Sequence, residues 1–380
     1  MSPRVKYTGF KMPEPDFGSR ITDLVMDLEF LRRREIQFTT DPVLYEQLRR
    51  IFRDLDAIAS ARVDGNKTAL AKFLEAKEES QDTKGRKTVE IDRLSEALTR
   101  IDKDPKNVVI TQGYFKVLHK SIRENITKES TRHAGVYRRS EARPGAGASH
   151  SAPVHMVETY LEKLVAFLNK NYSFKYDSIK SAYAHQKFLW IHPFNEANGL
   201  MARLITYLML KKQGFDGQHG RILNSCMGTC RDSEKYFALL RKADSGQERD
   251  LNNWLEYALE GLRDSIYHID FLFDYEFLKK EILEQAFTHP LFDRIFTTQD
   301  RLIIDIALEK QVFQAADVRI YFPQKHPSEI SKMLKWLKEK EMLINLEENS
   351  RKYAINLENK HLVKVLISKL DKKGYLHFEK

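Results

Sequence analysis

The chain has 380 residues, 42% apolar and 31% charged, and 63 Lys+Arg against 54 Asp+Glu give a net charge of +9. That length suits two or three domains with sizeable cores. No stretch approaches the roughly 18 uninterrupted apolar residues of a membrane-spanning helix, and the positive balance admits an acidic partner, nucleic acid or protein surface, without choosing between them.

Met-Ser-Pro-Arg-Val-Lys-Tyr at the start lacks the apolar core of a secretory signal, so a cytoplasmic location with no membrane contact is expected. An extended arm leads into an amphipathic helix from Ile21 to about Arg34. Asp41-Pro42 reads as the N-cap and first residue of the next helix. Its residues Leu44, Leu48, Ile51, Leu55 and Ile58 keep a 3.6 period up to a stop at Gly65-Asn66. On its own, Asp64 there reads as a solvated residue of a plain helix end. Residues 77–88 are polar without periodicity and predict a loop.

Val89–Ile101 and Thr111–Glu124 predict further helices, the second carrying His119 on its apolar side with Phe115, Leu118 and Ile122. That placement favours a packed core histidine over a catalytic one. Gly135-Val136-Tyr137-Arg138 and the residues through Pro153 are not helical, and Gly145-Ala146-Gly147 makes a flexible tip. Met156, Tyr160, Leu164 and Leu168 mark a helix. A loop with Tyr172 and Tyr176 then leads to an apolar run through Tyr183, His185, Phe188, Leu189, Trp190 and Ile191.

The segment His192-Pro193-Phe194-Asn195-Glu196-Ala197-Asn198-Gly199-Leu200-Met201-Ala202-Arg203 follows that run. Leu204, Ile205, Leu208 and Met209 resume a helical period, so a helix should begin near Asn198. A helix start offers unpaired N–H groups and partial positive charge to a phosphate. Asn198 and Gly199 let the backbone approach such an anion, and Arg203 one turn on offers a planar cationic fork. Glu196 is the kind of hard oxygen ligand that Mg2+ takes beside phosphates. His192, with an ordinary imidazole pKa of roughly 6.5, can accept a hydroxyl proton at the mouth of this anion hole. Taken singly, each residue also fits a helix-loop-helix corner with a structural His and a salt-bridged Arg.

The segment resembles the Fic family signature, His-Pro-Phe-x-(Asp/Glu)-Gly-Asn-Gly-Arg-x-x-Arg, over its whole length. The resemblance implies transfer of AMP from ATP to a Ser, Thr or Tyr hydroxyl of a target protein, with His192 as base and Glu196 holding Mg2+. Ala197, Asn198, Gly199 and Leu200 would line the nucleotide site, with Arg203 on the terminal phosphates. Two residues depart from the pattern. Ala197 replaces a Gly, which matters if φ there is positive. Leu200 replaces an Arg expected to neutralise the leaving pyrophosphate, and losing one such donor typically costs about 10²–10³ in rate.

Ser60-Ala61-Arg62-Val63-Asp64-Gly65 looks like the family's inhibitory motif, (Ser/Thr)-x-x-x-Glu-(Gly/Asn). The resemblance implies that Ser60 and Asp64 belong to a helix that blocks Arg203. Asp64 is one methylene shorter than the expected Glu, about 1.5 Å of reach. Gly135, Tyr137 and Arg138 fall where the family has a β-hairpin flap that docks the target by strand addition. Arg231, the pair Tyr236-Phe237 and Asp244 resemble its adenine-side residues, on a helix expected over Leu223–Ala243. An aromatic pair on a helix also suits a core. Cys226 and Cys230, the two cysteines, read as reduced buried thiols rather than metal ligands.

Beyond Pro290, Thr298–Lys310, Gln314–Tyr321 and Ser328–Lys340 predict three short helices, followed by alternating strands Met342–Leu346 and Lys352–Leu357. That order resembles a winged helix-turn-helix, with Ser328, Ser331, Lys332 and Lys335 lining the third helix. From Thr297 onward, 16 Lys+Arg against 12 Asp+Glu leave a net of +4, only mildly basic for DNA contact. The expected architecture is mainly α. An N-terminal helical region over 1–110 carries the inhibitory helix, and a Fic-type bundle with a small hairpin flap follows over 111–290. A winged-helix-like domain spans 291–380. ATP, Mg2+ and a hydroxyl-bearing protein target are the implied partners, DNA and a homodimer being further options. A Fic-fold nucleotide-binding regulator of DNA, disabled by Leu200, is the alternative.

Overall fold

Helices dominate the computed structural model, which describes residues 10–68, 72–74, 85–142, 151–217, 220–224, 226, 228, 230–347 and 350–376. Contacts divide the chain into two compact units. One is built on Arg53–Tyr267 with the first helix, the other on His268–Leu376 with Glu35–Phe52. Residues 77–84 of the expected loop and the Gly145-Ala146-Gly147 tip lie outside the described residues.

In the first unit, α1 (Arg20–Arg33) starts at Ser19, whose side chain accepts from the Thr22 N–H. Helix α2 (Pro42–Val63), of which Arg53–Val63 belong to this unit, has the expected Pro at its first position, and Asp41 Oδ1 accepts from the Val43 N–H at 2.9 Å. It ends where the sequence places its stop. Gly65 takes φ +92°, and the Gly65 and Asn66 N–H groups return to the carbonyls of Arg62 and Ala61. This is the left-handed helix end that a glycine adopts without a Cβ penalty.

Helix α3 (Arg86–Lys103) begins after Gly85, so Arg86, Lys87 and Thr88 are helical rather than part of the loop. Then come α4 (Gln112–Arg123), α5 (Lys128–His133) and α6 (Val157–Asn169). The centre of the unit is the pair α7 (Asp177–Ile191) and α8 (Asn198–Lys212), which pack most extensively on each other. Every residue of α7 after Asp177 is buried, and so is most of α8. Helices enclosed on all sides belong to a core even where, as in α7, they carry buried polar residues, and each Leu, Ile or Phe buried there contributes roughly 1.5–3 kcal/mol.

Helices α9 (Ser233–Ala243) and α10 (Glu248–Asp270) follow. The regular part of the helix expected from Leu223 starts only at Ser233, because the Asp232 side chain accepts from the Lys235 N–H and caps a new beginning. Cys226 and Cys230 are free thiols and buried, as expected.

A buried ion cluster ties α2, α3 and α8 together. Asp102 accepts from Arg53 Nη2 at 2.9 Å, Lys211 Nζ at 3.0 Å and the Tyr207 hydroxyl at 2.6 Å. These charges lower the Asp102 pKa although burial alone would raise it.

In the second unit, α11 (residues 275–287, with a π-helical turn at Lys279–Leu283) precedes α12 (Thr298–Lys310). Strand β1 (Val312–Gln314), α13 (Ala315–Arg319), α14 (Pro327–Glu339), β2 (Leu343–Asn345), β3 (Lys352–Ile355) and α15 (Lys360–Lys372) complete it. The antiparallel sheet has the order β1-β3-β2, with Val312 opposite Ala354 and Leu343 opposite Ile355. Strand β1 escapes sequence reading because three residues are too few to show an alternating period. Its Phe313 is buried and its ring lies 5.7 Å from that of Tyr353. Among the described residues no helix is long and apolar enough to cross a membrane.

Candidate active site

The turn from α7 to α8 carries His192 through Ala197, and two of its residues hold left-handed backbones. His192 closes α7 with φ 49° and ψ 62°, and Ala197 precedes α8 with φ 60° and ψ 20°. Asn198 pins the turn between them. Its Oδ1 accepts from the Phe194 N–H at 2.9 Å and its Nδ2 donates to the Phe194 carbonyl at 2.8 Å. The same Nδ2 lies 3.2 Å from Nδ1 and 3.3 Å from Nε2 of His192.

A left-handed alanine costs about 1 kcal/mol or more against glycine. Ala197→Gly is therefore expected to stabilise the protein by roughly 0.5–1 kcal/mol, a rise of about 2 °C in midpoint, read by thermal unfolding. An unchanged or lower midpoint would show that the turn does not strain residue 197.

Burial pushes the His192 imidazole down to about 4, with the Arg138 charge acting in the same direction and Asp64 opposing both. The ring is thus neutral near pH 7 and has a lone pair to offer. Arg138, itself buried, donates from Nε to the His192 carbonyl at 2.7 Å and from Nη1 to the Ser140 carbonyl at 2.9 Å. Its Nη2 reaches the Ala152 carbonyl. Tyr137 forms a single antiparallel bridge with Phe194 and is buried, its hydroxyl donating to the Gln112 carbonyl at 3.2 Å. Tyr137 and Arg138 of the expected flap thus brace the turn with their side chains.

His119 is packed, as its apolar helix face implies, and it also organises the turn. Its ring stacks on Phe194 at 3.8 Å between centroids, with an interplanar angle of 3°. Nδ1 accepts from the Gly135 N–H at 2.9 Å, so Nε2 carries the proton and donates to the Glu196 carbonyl at 3.3 Å. In α7, His185 bonds Thr206 through Nδ1 at 2.9 Å and the Tyr236 hydroxyl through Nε2 at 2.7 Å.

Burial pushes His119 down to about 4 and His185 down to about 3. Below the unfolded value of roughly 6.5 the unfolded chain binds more protons than the folded one. Stability is therefore complete above that pH and falls as pH drops toward the folded values, by about 1.4 kcal/mol per pH unit for each buried imidazole. Denaturant melts between pH 7 and 4.5 check this. The slope should flatten in His119→Gln, and an unaltered slope would remove His119 from the account.

Arg203 is fully enclosed by the end of α2. Its Nε donates to Ser60 Oγ at 2.7 Å, and Nη2 donates to the Ser60 carbonyl at 2.9 Å and to Asp64 Oδ1 at 2.8 Å. Burial opposes this charge, and Asp64 more than offsets it, so the Arg203 pKa is raised. The shorter side chain of Asp64 still closes the pair because Gly199 leaves room for it. A Cβ at position 199 would stand 2.6 Å from Asp64 Oδ1.

Arg203 Nη1 is buried and without a hydrogen-bond partner among the described residues. It lies 3.1 Å from that same missing Cβ. An unsatisfied donor at a helix start, beside a glycine whose free side a carboxylate already fills, fits a phosphate oxygen. Leu200, next in the helix, is 1% exposed and brings no charge to the cradle.

Glu196 offers a carboxylate that is 40% exposed and paired with Arg123. It fits as the single protein ligand of a Mg2+ ion that takes its other oxygens from phosphate and water. Among the described residues no three His, Cys, Asp or Glu side chains converge into a protein-only metal cage. Tyr236 is buried against His185, whereas its neighbour Phe237 is partly exposed. Asp244 accepts from Gln186 Nε2 at 3.0 Å, and Arg231 pairs with Glu260 at 2.8 Å.

Sequence reading did not find Arg123 or its second partner Glu90, 2.7 Å away. Arg123 is four residues beyond His119 and so shares its helix face. That spacing was the available signal. Glu90 carried none.

Two central helices joined by a tight turn thus carry a neutral His at the end of the first and an Arg clamped by Asp64 in the first turns of the second. Residues 109–210 match the Fic/DOC family, and the chain therefore carries a Fic-family domain. A Fic family protein from Desulfovibrio desulfuricans G20 shares the fold at a TM-score of 0.54 and 18% identity, over 91% of this chain and 98% of that one. A Fic domain containing signaling protein from Bacteroides thetaiotaomicron VPI-5482 aligns at 0.49 and 17% identity, covering 67% of this chain and 98% of that one. Fic-1 from C. elegans aligns at 0.49 and 19%, covering 65% and 70% of the two chains. No curated protein matches the sequence.

Proposed function

We propose that the chain is a protein adenylyltransferase that moves AMP from ATP to a Ser, Thr or Tyr hydroxyl of a target protein, and that the end of α2 restrains it. One observation carries the reading. A neutral His192 and the unsatisfied Nη1 of Arg203 flank the same helix start, and Asp64 occupies the cation that a terminal phosphate would need. The target oxygen attacks the α-phosphorus, forming one O–P bond as the bond from that phosphorus to the pyrophosphate oxygen breaks. His192 takes the hydroxyl proton, and pyrophosphate leaves with the bonding pair.

Positioning and oriented donors supply most of such a rate enhancement. Arg203 would hold the terminal phosphates once Asp64 releases it, with Asn198 and Gly199 at the helix start. When bound, Mg2+ would neutralise phosphate charge, with Glu196 as its protein ligand. Of the aromatic pair, Phe237 is the side chain accessible to a base. Target docking would use backbone just beyond Gly135, Tyr137 and Arg138. With Leu200 in place of a cation, transfer is expected to run about 10²–10³ slower than with an Arg there.

Intact-mass measurement of the full chain after incubation with ATP and Mg2+ tests the proposal, which expects an AMP adduct on the chain or on added target protein. No adduct on either, with the Asp64→Gly variant equally silent, would overturn it.

The second unit favours one other reading. Its helix–strand–helix–helix–strand–strand order and the exposed Ser328, Ser331, Lys332 and Lys335 of α14 suit a winged helix whose third helix meets DNA. A nucleotide-gated DNA-binding regulator would then shift random duplex pools in a gel in an ATP-dependent way. The adenylyltransferase need not.

A further inference from the structure

Resting on the proposed reaction, the geometry points to Arg123 as an internal cation that masks Glu196, so that a divalent ion must displace this guanidinium to reach the phosphate site. The Arg123 fork meets Glu196 with both arms, Nε to Oε1 at 3.1 Å and Nη2 to Oε2 at 2.8 Å. Such a parallel pair engages both carboxylate oxygens along the directions a metal would use. The Arg123 side chain is only 10% exposed, which strengthens the pair over a surface one. A doubly charged ion placed on the same carboxylate would face the guanidinium at a few ångströms, so the two cations exclude each other.

Arg123 has somewhere to go. Its remaining nitrogen, Nη1, donates to Glu90 Oε1 at 2.7 Å, so the fork can swing off Glu196 and stay charge-compensated. Glu90 is held in turn by Asn66, whose Nδ2 donates to Glu90 Oε2 at 2.8 Å and to the Lys87 carbonyl at 2.9 Å. Asn66 follows Gly65 directly. The end of α2 that closes the phosphate cradle through Asp64 therefore also steadies the residue that closes the cation position. The two locks are chemically separate: Asp64 mimics an anion before Arg203, and Arg123 mimics a cation before Glu196.

The test is Mn2+ binding to the full chain, followed by the electron paramagnetic resonance of free Mn2+, which needs no catalysis. Arg123→Gln is expected to bind Mn2+ at least tenfold tighter than the parent. Arg123→Gln with Glu196→Gln should lose the gain, and Asp64→Gly alone should show none. Arg123→Lys, a milder change that keeps a charge but not the fork, should show a smaller gain and serves if the Gln variant does not fold. Parental Mn2+ affinity in a folded Arg123 variant overturns the inference, as does a gain that persists without Glu196. Should AMP transfer itself fail, the Mn2+ result still decides whether Arg123 and a divalent ion compete for Glu196. Transfer with an unmoved Mn2+ affinity would sink this inference and leave the proposed reaction intact.

Discussion

His192→Asn is expected to abolish detectable labelling of the chain and of any target by ATP tagged at the α-phosphate. A positioned general base contributes about 10²–10⁴ in rate, and this protein lacks a cation at Leu200 to compensate. Asparagine is the informative replacement. Residue 192 sits at φ 49°, where asparagine is tolerated and alanine adds backbone strain. The lost imidazole is then separated from a disturbed turn, which the stack of His119 on Phe194 would otherwise transmit. His192→Ala should give the same loss with a lower melting point. Nucleotide-induced thermal shifts should survive in the Asn variant, because the proposed reaction assigns the phosphate contacts to Arg203 and the helix start. Labelling that persists in either variant would end the assignment of His192 as the base.

Asp64→Gly is expected to raise self-modification on the order of tenfold or more, since a site whose competent state is minor gains in proportion to the population released. It should also lower the melting point in the absence of nucleotide. Arg203 would then keep only the Ser60 contacts at 2.7 and 2.9 Å for a wholly buried charge. Breaking a buried pair from one side typically costs 3–5 kcal/mol, but Asp64 is 27% exposed, so about 1–3 kcal/mol is the reasonable expectation once solvent screening is counted. ATP should return much of that loss, because a terminal phosphate takes the vacated side of the guanidinium. Unchanged labelling, together with an ATP response equal to that of the parent, would mean that residue 64 does not guard the site.

The central helix–turn–helix was legible because it is local. Helix, turn and helix from Tyr183 to Met209 declare themselves by apolar period. The residues between them have functional groups whose chemistry can be reasoned from their types. The Asp64–Arg203 pair spans 139 residues and came from the inhibitory motif, not from any spacing rule. What stayed hidden depended on packing. Arg123 finds Glu196 and Glu90 from 73 and 33 residues away, and composition gives no hint of such a chain of charges. Strain at Ala197 depends on φ, a backbone angle that the preceding turn decides and residue types alone do not. Resemblance alone placed Arg138 in a flap, and its burial had no signal in the sequence. Four nearby carbonyls draw it inward instead.

The cluster at Asp102 bears on how the restraint proposed for the end of α2 would be lifted. Withdrawing α2 as a rigid rod would tear Arg53 from a carboxylate that Lys211 and Tyr207 also hold, inside the protein, at a cost of several kcal/mol. Uncoiling residues 60–66 breaks the terminal turn, its left-handed stop and the contacts of Ser60, Asp64 and Asn66, and leaves the Asp102 cluster intact. Activation should therefore resemble a bolt tip retracting within a fixed housing. Hydrogen exchange should quicken at that tip while the amides around Arg53 stay protected.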